Sequence, residues 1–308
     1  MAERTGRVGA LRNGPERTVA CSLAPLRKQI DYLVLQGGGI RCVWQAGFIA
    51  AFERSMPIRP LAISAVSASS TVACALVCRR LDFAIDCFKA AIASGSRNSF
   101  TVRMRNGQRI FPHADIYRDA LLRIFDQAAM EDLFAGPDIQ ILLTRLSARL
   151  WKYPGVLAGF ALSALHSAGI PRREGRWGRF GFRKEFVSVK RCATPDELAD
   201  LVLASSCTPP YTPFYSLYGR PVLDGGLTEC VPLSGLPEQQ GSTLALVTGK
   251  AATTDRVPGV RYAEPSEDLR INSWAYEAER IDYLYELGQK DGKSYLNELP
   301  DSVGSSRN

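Results

Sequence analysis

An α/β fold on a mostly parallel sheet, with both faces covered by helices, is what the sequence predicts, and three observations carry it. Residues 30–35, IDYLVL, form a short apolar run rich in β-formers; it ends at QGGGIR and passes into a helical pattern, CVWQAGFIAAFERS. A second unit of the same shape follows: the strand LAISA, a turn of small residues around Ser67, and the apolar run TVACALVC. Two further strands of buried type, residues 138–146 and 243–248, then alternate with helical segments, and no internal repeat interrupts the order. Parallel neighbours need crossover helices, and strands buried on both faces read as continuous apolar runs, so this alternation implies a sheet covered on both sides.

The second helix is expected to close at Arg79 and Arg80, whose charges suit a helix C-terminus. Residues 81–94 read as another helix, and after a loop rich in Asn, Gly and Arg, residues 115–127 show helical spacing. DIQILLTRL, residues 138–146, is a strand, with a shorter one over 185–189. TPDE at residues 194–197 supplies a threonine N-cap, a proline in the first turn and an acid at the third position, so a helix is expected over 194–204. The prolines of ASSCTPPYTPFY end it. TLALVT is a late buried strand, and residues 268–289 read as a long amphipathic helix. The ends, residues 1–29 with their arginines, prolines and glycines and residues 301–308, are expected to be a basic flexible extension and a flexible tail.

With 308 residues, 46% apolar and 22% charged, the chain can bury a sizeable core as one large domain or two modest ones. A net charge of +7 favours an anionic partner: a membrane surface, a nucleic acid or an acidic substrate. The eight cysteines are scattered, without a C-x-x-C pair, and several sit in apolar segments. They read as small buried hydrophobes of a reducing, cytoplasmic setting rather than a disulfide framework. The apolar patch VACSLAPL is too short for a signal-peptide core, and the run over 155–170 is too short and too polar to span a bilayer.

Chemistry is concentrated at three places. A strand, a tight turn carrying one serine, and a helix build a nucleophile elbow, and small neighbours are needed because the serine backbone is strained. The glycines of the usual G-x-S-x-G are Ala65 and Ser69 here. In QGGGIR, the N–H groups of Gly37, Gly38 and Gly39 can face a common point beside Arg41, a nest suited to an anion. A dinucleotide fingerprint fails because Cys42 holds the third glycine position, and a phosphate loop fails because no G-K-[ST] follows. An oxyanion hole for acyl transfer, worth on the order of 3 kcal/mol per donor, is the remaining chemical use, beside a plain tight turn. The third place is VLDGGL, where Asp224 on a glycine turn caps its own backbone or serves a nucleophile as base. The two histidines, His113 before a helix and His166 in an apolar run, carry no triad context, so a Ser67–Asp224 dyad is the better reading.

These motifs, QGGGIR, a serine elbow about thirty residues later, and ASSCTPPYTP leading into LDGGL, stand in the order and spacing of the patatin-like phospholipases, which the chain resembles from Tyr32 to about Val231. YELGQKDG in the late helix is similar to that family too. The resemblance implies a three-layer α/β/α sandwich, one catalytic domain over residues 30–300, and hydrolysis of fatty-acyl esters of phospholipids or lysophospholipids without metal or organic cofactor. By the same resemblance Ser67 is the nucleophile, Asp224 its base, Gly37, Gly38 and Gly39 the oxyanion donors, and Arg41 the basic residue after the glycines. Ala65, Ser69 and Cys42 stand where the family usually has glycine. A catalytically weakened relative acting as a lipid-binding or interaction module is the alternative, and a nucleotide-binding protein using the glycine loop a third. PRREGRWGRFGFRK, residues 171–184, adds a basic and aromatic stretch. Its Arg172, Arg173, Arg176, Trp177, Arg179 and Phe180 are expected to contact headgroups at an anionic membrane surface, and no nucleic-acid motif accompanies them.

Overall fold

The computed structural model describes residues 29–95, 113–146, 182–209, 212–237, 241–249, 256–269 and 278–299. Residues 1–28 of the extension, the tail, the 155–170 run and the expected membrane contacts Arg172, Arg173, Arg176, Trp177, Arg179 and Phe180 lie outside them.

Among the described residues eight strands form one sheet: β1 (Tyr32–Leu35), β2 (Ala62–Val66), β3 (Asp138–Leu146), β4 (Phe182–Ser188), β5 (Tyr215–Leu217), β6 (Arg220–Asp224), β7 (Thr243–Leu246) and β8 (Val260–Ala263). Their order is β5-β6-β3-β2-β1-β7-β8, with β4 also paired to β3. The pairs β1–β2, β1–β7, β2–β3 and β7–β8 are parallel, and those of β3 with β4, β3 with β6 and β5 with β6 antiparallel, so the sheet is mixed and mostly parallel. Every residue of β1 and β2 is buried, which requires cover on both faces and gives the α/β/α layering.

Seven α-helices lie among the described residues: α1 (Cys42–Ser55), α2 (Ser69–Val77), α3 (Leu81–Gly95), α4 (His113–Ile124), α5 (Gln127–Ala135), α6 (Pro195–Ser205) and α7 (Ala278–Glu298). The Thr194 cap is made, its side chain accepting the Glu197 N–H. Where α2 was expected to close at Arg79 and Arg80, it stops at Val77. Arg79 takes a left-handed φ of 55° and the N–H groups of Arg79 and Arg80 return to the Leu76 and Ala75 carbonyls, a Schellman ending made without glycine. The expected helix over 115–127 is two: Asp126 leaves the helical conformation and caps α5 by accepting the Ala129 N–H. The late helix, read over 268–289, is described over Ala278–Glu298, and residues 268 and 269 are not helical. The basic and aromatic stretch ends inside β4, where Phe182 is core and Lys184 pairs with Glu229 at 2.9 Å.

The long helix α7 lies along α1, and their backbones come very close. A Cβ added at Gly288 would stand 2.1 Å from the Trp44 carbonyl oxygen. Trp44 Nε1 in turn donates to Asp291 at 2.8 Å, and beside the crossing Phe48 stacks on Phe52 and meets Tyr295 edge-on. Gly288→Ala is therefore expected to push the helices apart at a cost of roughly 3 kcal/mol, read as a lowered urea midpoint.

Arg145, 3% exposed, anchors the antiparallel side of the sheet. Its Nε and Nη2 donate to the two Glu185 oxygens at 2.6 and 2.9 Å, and its Nη1 donates to the Leu217 and Arg220 carbonyls flanking the β5–β6 turn. Hydrogen bonding from Arg145 outweighs burial and holds the Glu185 carboxyl below its usual range. A carboxyl depressed in the folded state stabilises above its unfolded value, about pH 4.3, and that contribution is lost as pH falls through the folded value. Glu185→Gln is accordingly expected to cost on the order of 3 kcal/mol at pH 7, with the gap from the parent narrowing progressively as pH falls below about 4.3 in denaturation curves.

Candidate active site

The loop after β1 and the turn after β2 meet because these strands are parallel neighbours with Leu35 opposite Ala65. Gly37 passes so close to the end of β2 that a Cβ on it would stand 3.1 Å from the Val66 carbonyl oxygen and 3.2 Å from the Ser67 Cβ. The loop is anchored from below. Gln45 Nε2 donates to the Gln36 and Leu246 carbonyls, the Thr248 hydroxyl donates to the Gly37 carbonyl at 3.0 Å, and the Thr248 N–H donates to Gln36 Oε1. Arg41 donates from both Nε and its backbone N–H to the Gly38 carbonyl, at 3.2 and 3.3 Å. Because a trans peptide sets C=O and N–H on opposite sides, holding that carbonyl fixes the direction of the Gly39 N–H. The three glycine donors are not equivalent. Gly37 N–H reaches the Cys230 carbonyl at 3.4 Å, whereas those of Gly38 and Gly39 have no acceptor among the described residues.

Ser67 has φ 59°, a left-handed conformation that costs a residue with a Cβ about 1–2 kcal/mol. Buried hydroxyls secure the turned backbone. Ser67 N–H donates to Ser205 Oγ at 2.8 Å, and Ser205 Oγ donates onward to the Leu142 carbonyl at 2.8 Å. Ser69 Oγ accepts the Val66 N–H and lies 2.9 and 2.8 Å from the Leu35 and Val66 carbonyls, one proton serving both. Ser69, Ser205 and Ala65 are fully buried, so the turn takes an elbow's shape without elbow glycines. Ser205 was not singled out by the sequence reading. The signal available was a pair of serines, Ser205 and Ser206, closing an apolar helix just before the prolines. Ser205→Ala leaves a buried N–H and a buried carbonyl unpaired; the expected loss is about 2 kcal/mol of stability, measured by urea denaturation.

The approach of Asp224 is set by the register of β3. Leu142 pairs with Val66, the last residue of β2, and Leu143 pairs with Asp224, the last residue of β6. Since β4 holds the opposite edge of β3 at both positions, β2 and β6 share one edge and meet end to end. Ser67 Oγ thus donates to Asp224 Oδ2 at 2.7 Å, while Gly226 N–H donates to Asp224 Oδ1 at 2.7 Å. Helix α2 opens at Ser69, so its positive dipole end faces the same point. His113 opens α4 and His166 lies outside the described residues; the carboxylate is what the Ser67 hydroxyl bonds to.

Burial pushes the Cys42 thiol up to about 12, against the opposing pull of the Arg41 charge, with Asp224 adding to the rise. It stays protonated, its Sγ donating to the Gln36 carbonyl at 3.7 Å, and so acts as packing where a glycine was expected. Next to Gly39 and Ala68 begins an apolar cavity of about 230 Å³ between α1, α2, α3, α4 and α7. The described cysteines are free thiols, six of the seven buried. Among the described residues no helix is long and apolar enough to cross a membrane.

A serine and a carboxylate joined at the carboxyl ends of two strands, beside a glycine loop with unused N–H groups, is an arrangement suited to acyl transfer on an α/β scaffold. Residues 33–236 match the family Patatin-like phospholipase, and the chain belongs to that family. No curated protein matches the sequence. Among solved structures it is similar to VipD from Legionella pneumophila, at 11% identity and TM-score 0.42, over 88% of this chain and 67% of that one. It is also similar to the complex of SpcU and ExoU from the type III secretion system of Pseudomonas aeruginosa, at 17% identity and TM-score 0.34. That match takes in 90% of this chain and 53% of the other, so the protein spans about half the length of that relative.

Proposed function

We propose that this protein is a serine acyl-hydrolase cleaving fatty-acyl esters of phospholipids or lysophospholipids. Ser67 Oγ attacks the ester carbonyl as its proton passes to Asp224 Oδ2. The developing oxyanion is held by the Gly38 and Gly39 N–H groups, with Gly37 joining if it releases Cys230. Collapse of the tetrahedral species expels the alcohol, which takes the proton from Asp224. Water then attacks the acyl-enzyme and gives a proton to Asp224; the bond to Ser67 Oγ breaks, Ser67 takes that proton back from Asp224, and the fatty acid is released. This chemistry calls on no metal or organic cofactor.

The 2.7 Å contact between Ser67 Oγ and Asp224 Oδ2, with Ser67 in a strained conformation, is the observation that carries the reading. Family membership and the apolar cavity beside the pair favour a lipid ester. The basic excess of the chain and its Arg172–Phe180 stretch favour peripheral contact with an anionic membrane, and the free thiols a cytoplasmic setting. The test is reaction with a fluorophosphonate followed by peptide mass spectrometry, alongside release of fatty acid from phosphatidyl and lysophosphatidyl lipids. A phosphonate adduct on Ser67 with fatty-acid release is expected. An unlabelled Ser67 with no release from any ester would leave the lipid-binding module as the reading.

A further inference from the structure

The cavity beside Ser67 has a measurable depth, and its walls explain where it ends. Ala68, Thr71, Val72 and Ala75 line it from α2, at the spacing of one helix face. Ala68 follows Ser67 directly, so this face runs away from the reacting serine. The turn at Cys78–Arg80 then reverses the chain into α3, which brings Leu81 and Ala84 to the Ala75 end. Phe88, further along α3, lies nearer the Ser67 side than Ala75 does. Its ring meets that of Tyr117 at 5.5 Å, and the Tyr117 hydroxyl bonds Thr71 Oγ1 at 2.7 Å, one turn from Ser67. Ala75, Leu81 and Ala84 are therefore the floor, and all three are buried.

Two measures of this space agree. From Ala68 to Ala75 the helix rises about 10 Å at ~1.5 Å per residue. An extended hydrocarbon advances about 1.25 Å per carbon for ~1.5 Å bonds at ~111°, so roughly eight carbons fill that depth. By volume, an apolar cavity of about 150 Å³ takes the six carbons of benzene. The 230 Å³ found here corresponds on that scale to about nine.

We propose that the site selects a single acyl chain of medium length, about eight or nine carbons, and that Ala75 and Ala84 set the limit as the floor of the cavity. The selectivity rests on Ser67 as the nucleophile; the binding of the chain does not. Longer acyl groups fit only with their ends outside the cavity and gain nothing further from it.

The test uses the full chain and two series. In the first, 4-nitrophenyl esters from acetate to palmitate are compared below their aggregation concentrations. kcat/KM is expected to rise about fourfold per methylene, the ~0.8 kcal/mol of a buried CH₂, and to level off near eight or nine carbons. In the second, straight-chain fatty acids are bound to Ser67→Ala by calorimetry, with the same slope and breakpoint expected in Kd. Ala75→Leu adds three carbons at the floor and is expected to move both breakpoints about three carbons shorter, the comparison being made within the variant's own series. Ala84→Val serves if Ala75→Leu does not fold, with a smaller shift in the same direction. A binding series that is flat, or that climbs unbroken to sixteen carbons, overturns the proposal, as does a breakpoint unmoved in a folded floor variant. Absence of hydrolysis with a normal binding breakpoint instead overturns the nucleophile reading and leaves the cavity assignment standing.

Discussion

Ser67→Ala is expected to lower kcat for a short-chain ester by about 10⁶ and to abolish fluorophosphonate labelling, the scale on which losing a serine nucleophile is felt. Its effect on stability should be small, because the interactions that hold the turn are made by groups the substitution keeps. The Ser67 N–H still donates to Ser205, Ser69 still ties Val66 to Leu35, and alanine, like serine, carries a Cβ in the left-handed conformation. What is removed is the hydroxyl 2.7 Å from Asp224. Unfolding by urea separates the two effects: a variant that loses activity by losing its fold shifts its midpoint, and this one should not, to within about 1 kcal/mol. Retention of more than a hundredth of the parent rate by folded Ser67→Ala would place the nucleophile elsewhere.

Much of the scaffold of this site was legible in the sequence because it is local. Helix α1 over Cys42–Ser55 and strand β3 over Asp138–Leu146 follow the bounds read from periodicity, and the Thr194 cap is a four-residue signal. The two strand–turn–helix units were legible for the same reason. What escaped depends on neighbours distant in the chain. Strand β8 is a four-residue edge with little apolar pattern, and the Asp126 break between α4 and α5 is masked by the helical spacing on either side. No local rule says that β2 and β6 lie on one edge of β3, yet that register is what brings Ser67 to Asp224 across 157 residues. The question raised by Ala65 and Ser69 has an equally non-local answer. The strained turn is held by hydroxyls, one of them supplied by Ser205 on α6, where the usual pattern relies on glycine's freedom.

Asp224→Asn tests the dyad with the least disturbance, and the expected result is a loss in kcat of at least about 10⁴ with stability nearly unchanged. The two Asp224 carboxylate oxygens have different partners. Oδ1 accepts the Gly226 N–H at 2.7 Å and Oδ2 accepts the Ser67 hydroxyl at 2.7 Å. An asparagine has one acceptor and one donor group to replace them. Placing the amide NH₂ against the Gly226 N–H would set donor against donor, with the backbone unable to turn away. The amide oxygen therefore takes the Gly226 side and the NH₂ faces Ser67. The turn after β6 is preserved, while the serine hydroxyl loses its proton acceptor and instead receives a hydrogen bond. Such a variant should bind substrate and remain folded but attack slowly, so kcat falls while KM for a short ester changes little. A kcat within tenfold of the parent would mean that another group takes the proton and that Asp224 serves the turn alone.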